Sequence, residues 1–263
     1  MDYETIEVHN QGAVRCIYLA RPAARNAQSQ KLLDELDHAV VAAGQDDSVH
    51  VVVIGGKGAH FSAGHDLKEA QEKRANFTVE ERWAYESVRY FDYCMRIWDL
   101  PKPTIAQVQG ACVAGGFMVA NMCDLIVCSE DAFFSDPVNH TLAAAATEVL
   151  IHPWAMGLRQ AKEMLYTGGR VSAQEAYRMG MVNKVVHRDN LEQATLALAQ
   201  QIAKAPPFGI RLVKKSLNRT LDAQGLRTAL SAHFDLHQLS HVSEEFERKK
   251  QQGLAAAIQR NRE

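Results

Sequence analysis

Nowhere in this chain does an apolar run reach the about 20 residues that a membrane-spanning helix needs, so no membrane span is expected. Strong charge of either sign is missing as well. Lys and Arg total 29 against 31 Asp and Glu, a formal net charge of −2 at pH 7. That balance offers no electrostatic footprint for nucleic acid. The start, Met1-Asp2-Tyr3-Glu4, carries acid where a secretory leader carries base. Neither C-x-x-C nor H-E-x-x-H occurs, so no metal site is expected. The cysteines (Cys16, Cys94, Cys112, Cys123, Cys128) are scattered and odd in number. They read as reduced, buried thiols of a cytoplasmic protein.

What remains is a 263-residue chain, 47% hydrophobic, long enough for one large domain or one domain with a small annex. Thr5–Val8 and Val14–Leu19, with Asn10-Gln11-Gly12 between them, give a hairpin signal. Ser29 or Gln30 opens a helix that places Leu32, Leu33, Leu36, Ala39 and Val40 on one face. His50–Ile54, Thr104–Val108 and Leu125–Cys128 are compact apolar strands. Glu80–Leu100 reads as one long helix with Val88, Phe91, Met95 and Trp98 sharing a face, and Pro101 and Pro103 end it. Lys68–Ala75 is charged and loosely helical at most. Ser172–Met179 is a helix whose Ser172 and Glu175 form a capping box. After Val182–Val186 the chain turns helical: Leu191–Ala203, Gly209–Arg219 and Leu226–Lys250, then a charged tail. The composition shift divides the chain into 1–200 and a helical region, 201–263.

Two glycine-rich stretches carry the chemistry. The first is Gly55-Gly56-Lys57-Gly58-Ala59-His60-Phe61-Ser62-Ala63-Gly64-His65-Asp66. A dinucleotide fingerprint fails there because Phe61 stands at the third glycine. A phosphate loop fails because Gly58 follows the lysine. A nucleophile elbow fails because His60 replaces its first glycine, which leaves Ser62 as a minor nucleophile candidate. The second stretch runs Val108-Gln109-Gly110-Ala111-Cys112-Val113-Ala114-Gly115-Gly116-Phe117-Met118. A strand there enters a small-residue turn that opens a helix. Free N–H groups at such a start can hold a developing negative charge.

Phe61-Ser62-Ala63-Gly64-His65-Asp66-Leu67-Lys68 resembles the F-x-A-G-x-D-[LI]-K motif of the crotonase (enoyl-CoA hydratase/isomerase) superfamily. Thr167-Gly168-Gly169-Arg170-Val171-Ser172-Ala173-Gln174-Glu175-Ala176 is similar to its T-G-x-x-[IV]-x-A-x-E-A segment, and Arg21-Pro22 to Asn26-Ala27 looks like its first loop. The resemblance implies an α/β fold: a crotonase-type spiral of ββα units with a C-terminal helical trimerisation region. The assembly would be a homotrimer or a dimer of trimers. It implies an acyl-CoA thioester as substrate and no permanently bound cofactor, coenzyme A entering as part of the substrate. The thioester carbonyl would meet two backbone N–H groups, matched here to Ala63 and Gly115. Arg25, His65, Asp66 and Leu67 would border the coenzyme.

The chain departs from the hydratase pattern at both proton-transfer positions. Met118 stands where G-G-x-E-L carries glutamate, and Val138 follows Pro137 where the second glutamate would stand. Neither side chain transfers protons, so both become apolar walls of the substrate site. Glu148, the only carboxylate of Leu142–Val149, becomes the candidate acid or base, with a structural salt bridge as its alternative. Asp136 and His140 flank Val138 and are the next candidates. Asp124 reads as structural. The expected activity is therefore a non-standard one, such as isomerisation, C–C cleavage or thioester hydrolysis. The alternative is a catalytically weak acyl-CoA-binding member.

Overall fold

A computed structural model of the chain describes residues 2–142 and 148–252. The expected alanine-rich stretch falls largely on 143–147 and the charged tail largely on 253–263, outside the described residues.

The chain opens with the expected hairpin, β1 (Ile6–Gln11) and β2 (Val14–Leu19), followed by α1 (Gln30–Gln45), β3 (Val51–Gly56), α2 (Leu67–Arg74) and α3 (Val79–Glu86). A π-helical turn, Ser87–Asp92, joins α3 to α4 (Tyr93–Asp99). Then come β4 (Thr104–Val108), β5 (Ala111–Val113), α5 (Gly115–Asn121), β6 (Leu125–Ser129), β7 (Phe133–Ser135), α6 (Val138–Leu142), α7 (His152–Met156) and α8 (Leu158–Thr167). The last part holds β8 (Arg170–Ser172), α9 (Ala173–Arg178), β9 (Lys184–Val186), α10 (Leu191–Ala203), α11 (Pro207–Ala223), α12 (Leu226–Ser240) and α13 (Glu244–Gln251).

One sheet runs β1-β2-β3-β4-β6-β9, antiparallel at the hairpin and parallel from β2 to β9. A smaller sheet runs β5-β7-β8. β3 at the centre of the sheet is apolar without a break because both its faces are covered. Val14, Cys16, Tyr18, Val51, Val53, Ile105 and Val127 pack under Leu191 and Ala199 of α10. Their alternates, Ile17, Leu19, Val52, Ile54, Ala106 and Val108, meet α1, α4 and α5 in the main core. All five cysteines are buried and free.

The caps fall where the side chains predict. Ser29 accepts from the Leu32 N–H, and Ser172 and Glu175 form the reciprocal box. Asp66 caps α2, so the charged stretch is a formed helix. The long helix differs from expectation: the π turn adds a residue to the repeat and rotates the face. Val88 is thereby left 40% exposed, while Tyr85, Tyr90 and Cys94 turn inward. Leu226–Lys250 is two helices, because Ser243 caps a new one by accepting from the Phe246 N–H.

The last helices are tied to the core. Lys214 pairs with Asp124 at 2.8 Å and donates to the Lys102 carbonyl, and Asn218 donates to the Trp98 carbonyl. Asp124 also accepts from the Thr104 N–H and hydroxyl, the structural role expected of it.

Candidate active site

Two loops meet at the start of α5. The first is organised by Asn26, buried with φ +53. Its carbonyl oxygen accepts from the Arg21 N–H, and its amide donates to the Lys57 and His60 carbonyls. Ser62 donates to the Asn26 carbonyl and accepts from the Gly64 N–H, so its hydroxyl is a loop tie rather than a nucleophile. Asp66 pairs with Arg21 at 3.0 Å and caps α2, which fixes the loop from its far side.

Gly64 (φ +89) turns the chain so that its Cα side lies against Gly115. A Cβ there would come 2.9 Å from the Val113 carbonyl oxygen and 3.3 Å from the Gly115 nitrogen. Ala114 holds the strained φ of +49, pinned by its N–H donating to the Ser135 carbonyl. Gly115 itself is packed against side chains. A Cβ would meet Gln28 Oε1 at 2.4 Å and His65 Cε1 at 2.7 Å.

This geometry corrects the placement of the first backbone donor. The Ala63 N–H donates to the Arg25 carbonyl at 3.0 Å and is spent. The neighbouring pairing consists of Gln28 N–H to the Gly64 carbonyl and Asp66 N–H to the Gln28 carbonyl. It leaves the His65 N–H with no acceptor among the described residues. The Gly115 N–H, at the first turn of α5, likewise has none.

Beside these donors opens a cleft lined by apolar residues of α1, α4 and α5, by Asp37, Arg89 and Tyr93, and by Gln28, His65, Tyr90, Gly115 and Met118. The His65 ring stacks on Tyr90 with centroids 3.8 Å apart. Its Nε2 lies 3.3 Å from Glu148 Oε1, behind which His237 Nε2 stands 3.9 Å away. His237 in turn meets Glu86 at 3.1 Å, and Gln238 donates to the same carboxylate at 2.7 Å. A line of alternating imidazoles and carboxylates thus runs from the cleft into the protein.

Charge in that line is balanced by contact. Burial pushes Glu148 up, but His65 and His237 outweigh it and hold it below the usual glutamate range. Burial opposes ionisation of Glu86 too, yet the hydrogen bond and charge of His237 bring it to about 2. His237 is raised, its burial overcome by the two glutamates. His241, by contrast, is lowered by burial to about 4. Glu86, His237 and His241 are close enough to share a cation in principle. The Glu86 carboxylate is already engaged by His237 and Gln238, which accounts for the cluster as it stands.

The remaining candidates separate. Met118 lines the cleft, as expected. Val138 is half-buried at the start of α6 and is not among the lining residues. Asp136 is sealed from solvent with His152, 3.2 Å away, whose ring stacks on Phe117; burial raises its pKa. It is a core pair, and this corrects its candidacy as a catalyst. His140 is exposed on α6 and bonded through Nε2 to the Tyr166 carbonyl, so it too is outside the site. Arg25 is exposed beside the loop, where a coenzyme could reach it. Leu67 is half-buried at the start of α2. Gln28, Tyr90, Glu86, His237 and His152 were not among the sequence candidates.

The sequence from residue 9 to 260 matches the family model described as Enoyl-CoA hydratase/isomerase. A probable enoyl-CoA hydratase of Mycobacterium smegmatis is 45% identical with a TM-score of 0.86, covering 92% of this chain and 95% of its own. An enoyl-CoA hydratase/isomerase of Xanthobacter autotrophicus Py2 has a TM-score of 0.91 at 37% identity, covering 98% and 97%. A third relative, 4-chlorobenzoyl coenzyme A dehalogenase-2 of an Arthrobacter species, is 33% identical over 213 residues, 81% of this chain and 77% of the relative.

Proposed function

The chain belongs to the enoyl-CoA hydratase/isomerase family, with the crotonase fold, and on that premise we propose how it acts on an acyl-CoA thioester. The thioester carbonyl accepts from the His65 and Gly115 N–H groups, which stabilise the enolate or tetrahedral oxyanion as charge moves onto that oxygen. The His65 imidazole, facing the cleft, carries the proton. Glu148 orients it and steadies its charged form, as a buried carboxylate does for a catalytic histidine. The observation that carries this reading is the His65 Nε2 to Glu148 Oε1 contact of 3.3 Å beside two unspent N–H donors.

Met118 in the cleft wall, with valine at 138 in place of the second glutamate, favours a reaction other than simple hydration of a conjugated enoyl thioester, since neither side chain activates water. The dehalogenase among the relatives supports that breadth of chemistry. The rival reading, a weak acyl-CoA binder, is favoured by the same two residues. A panel of acyl, enoyl, β-hydroxy and β-oxo coenzyme A thioesters tests both: conversion of at least one is expected. Saturable binding without any conversion would leave the binder.

Assembly as a homotrimer or a dimer of trimers is supported by α11, where Phe208, Leu212, Val213 and Leu217 stand exposed at helical spacing. Sedimentation velocity should report three or six copies, and a stable monomer would refute it.

A further inference from the structure

The amide of Gln28 is a polar group buried inside an acyl site with nothing to pair with. Gln28 is 1% exposed and lines the cleft, yet neither Oε1 nor Nε2 has a hydrogen-bond partner among the described residues. Such a group costs stability, roughly 1–3 kcal/mol where a buried donor or acceptor stays unmade. The backbone leaves it little choice. Gln28 N–H and C=O are both held by the His65 loop, and Ser29 immediately caps α1, so the side chain between them is directed at Gly115. Its Oε1 would lie 2.4 Å from a Cβ at Gly115. The amide therefore packs against Gly115, whose N–H is expected to hold the thioester oxygen. Beside His65 and Tyr90, the other polar side chains of the cleft wall, Asp37, Arg89 and Tyr93, are already paired with Arg96 and Asp34.

Resting on the acyl-CoA reading above, we propose that Gln28 selects acyl groups carrying an oxygen on the carbon two positions from the thioester carbonyl, that is, β-hydroxy- or β-oxoacyl thioesters. A carboxamide offers both a donor and an acceptor. A β-oxo group accepts from Nε2, and a β-hydroxyl also donates to Oε1. An unsubstituted chain leaves both amide atoms unpaired, and sites built to bond a substrate oxygen reject analogues that lack it. Gln28 is a specificity residue in this account and moves no proton.

The test compares equilibrium binding of 3-hydroxybutyryl-CoA, acetoacetyl-CoA and butyryl-CoA, equal in chain length, to the wild-type protein and to Gln28→Met and Gln28→Leu. The wild type is expected to bind at least one oxygenated thioester about tenfold or more tightly than butyryl-CoA. Both variants should lose that preference, and a cooperative thermal unfolding transition shows that they are folded. Preference for the hydroxy over the oxo form would identify the acceptor Oε1 as the deciding atom, and the reverse would identify Nε2. Equal wild-type affinity for all three, or a preference that survives both substitutions, overturns the proposal alone. Failure of all three thioesters to bind overturns the acyl-CoA reading and the proposal with it.

Discussion

Among the described residues, His65 and Glu148 bring an imidazole and a carboxylate together at the cleft, with Nε2 3.3 Å from Oε1 and the ring held flat against Tyr90. The Tyr90 stack sets the ring plane, and the buried Glu148 stands beside Nε2. In the proposed reaction His65 supplies both a carbonyl donor, its N–H beside Gly115, and the proton carrier.

The first consequence concerns hydration. With Met118 in the cleft wall, crotonyl-CoA should show little loss of its conjugated thioester absorbance when mixed with the protein. Rapid bleaching would mean that another group activates water.

A second prediction uses the crowding at Gly115. In Gly115→Ala the new methyl would sit 2.4 Å from Gln28 Oε1 and 2.7 Å from His65 Cε1, so both must move. Displacing the donors should lower kcat/KM by about 10²–10³.

Stability, not turnover, should register the buried Asp136–His152 pair. His152→Leu leaves the aspartate sealed without its partner, and loss of about 3–5 kcal/mol is expected in urea unfolding. Activity per folded molecule should persist. A selective loss of turnover at unchanged stability would return Asp136 to the catalytic candidates.

The loop and core lessons differ in kind. The centre of the sheet was legible because β3 is buried on both faces and therefore apolar, as Val51–Ile54 shows. Ser29 and Ser172 announced their helices through local hydrogen bonds. The donor at Ala63 was misplaced by two residues. In an extended loop the choice between neighbouring N–H groups depends on which one finds a carbonyl, and Arg25 supplies it through a left-handed turn that no motif reveals. The π turn left Val88 exposed while Phe91, Met95 and Trp98 of the expected stripe still pack on the core, and it brought Tyr90 to the site. His237 and Glu86 are 151 residues apart, so their meeting depends on how α12 docks. Gln28 gave no periodic signal, being one polar residue before a cap.

Linkage supplies a pH signature for that docking. The raised His237 pKa contributes stability that is complete below about 6.5, the ordinary histidine value, and fades as pH rises through the folded value. The depressed Glu86 contributes stability above about 4.3 that is lost as pH falls through about 2. The melting temperature should therefore fall between about pH 6 and the alkaline side, and His237→Gln should flatten that dependence. Arg82, His241, Gln238 and Glu148 also face this pair and remain in the variant. An unchanged slope would remove His237 as its source.

The central claim is the His65–Glu148 division of labour, and the most direct measurement is the pH dependence of kcat and kcat/KM in His65→Asn and Glu148→Gln. It should be made on whichever thioester the wild type converts, with thioester affinity measured alongside. Each variant should lose about 10²–10⁴ in kcat while thioester binding changes little. Full turnover in either variant, or a loss that appears only in affinity, would contradict it.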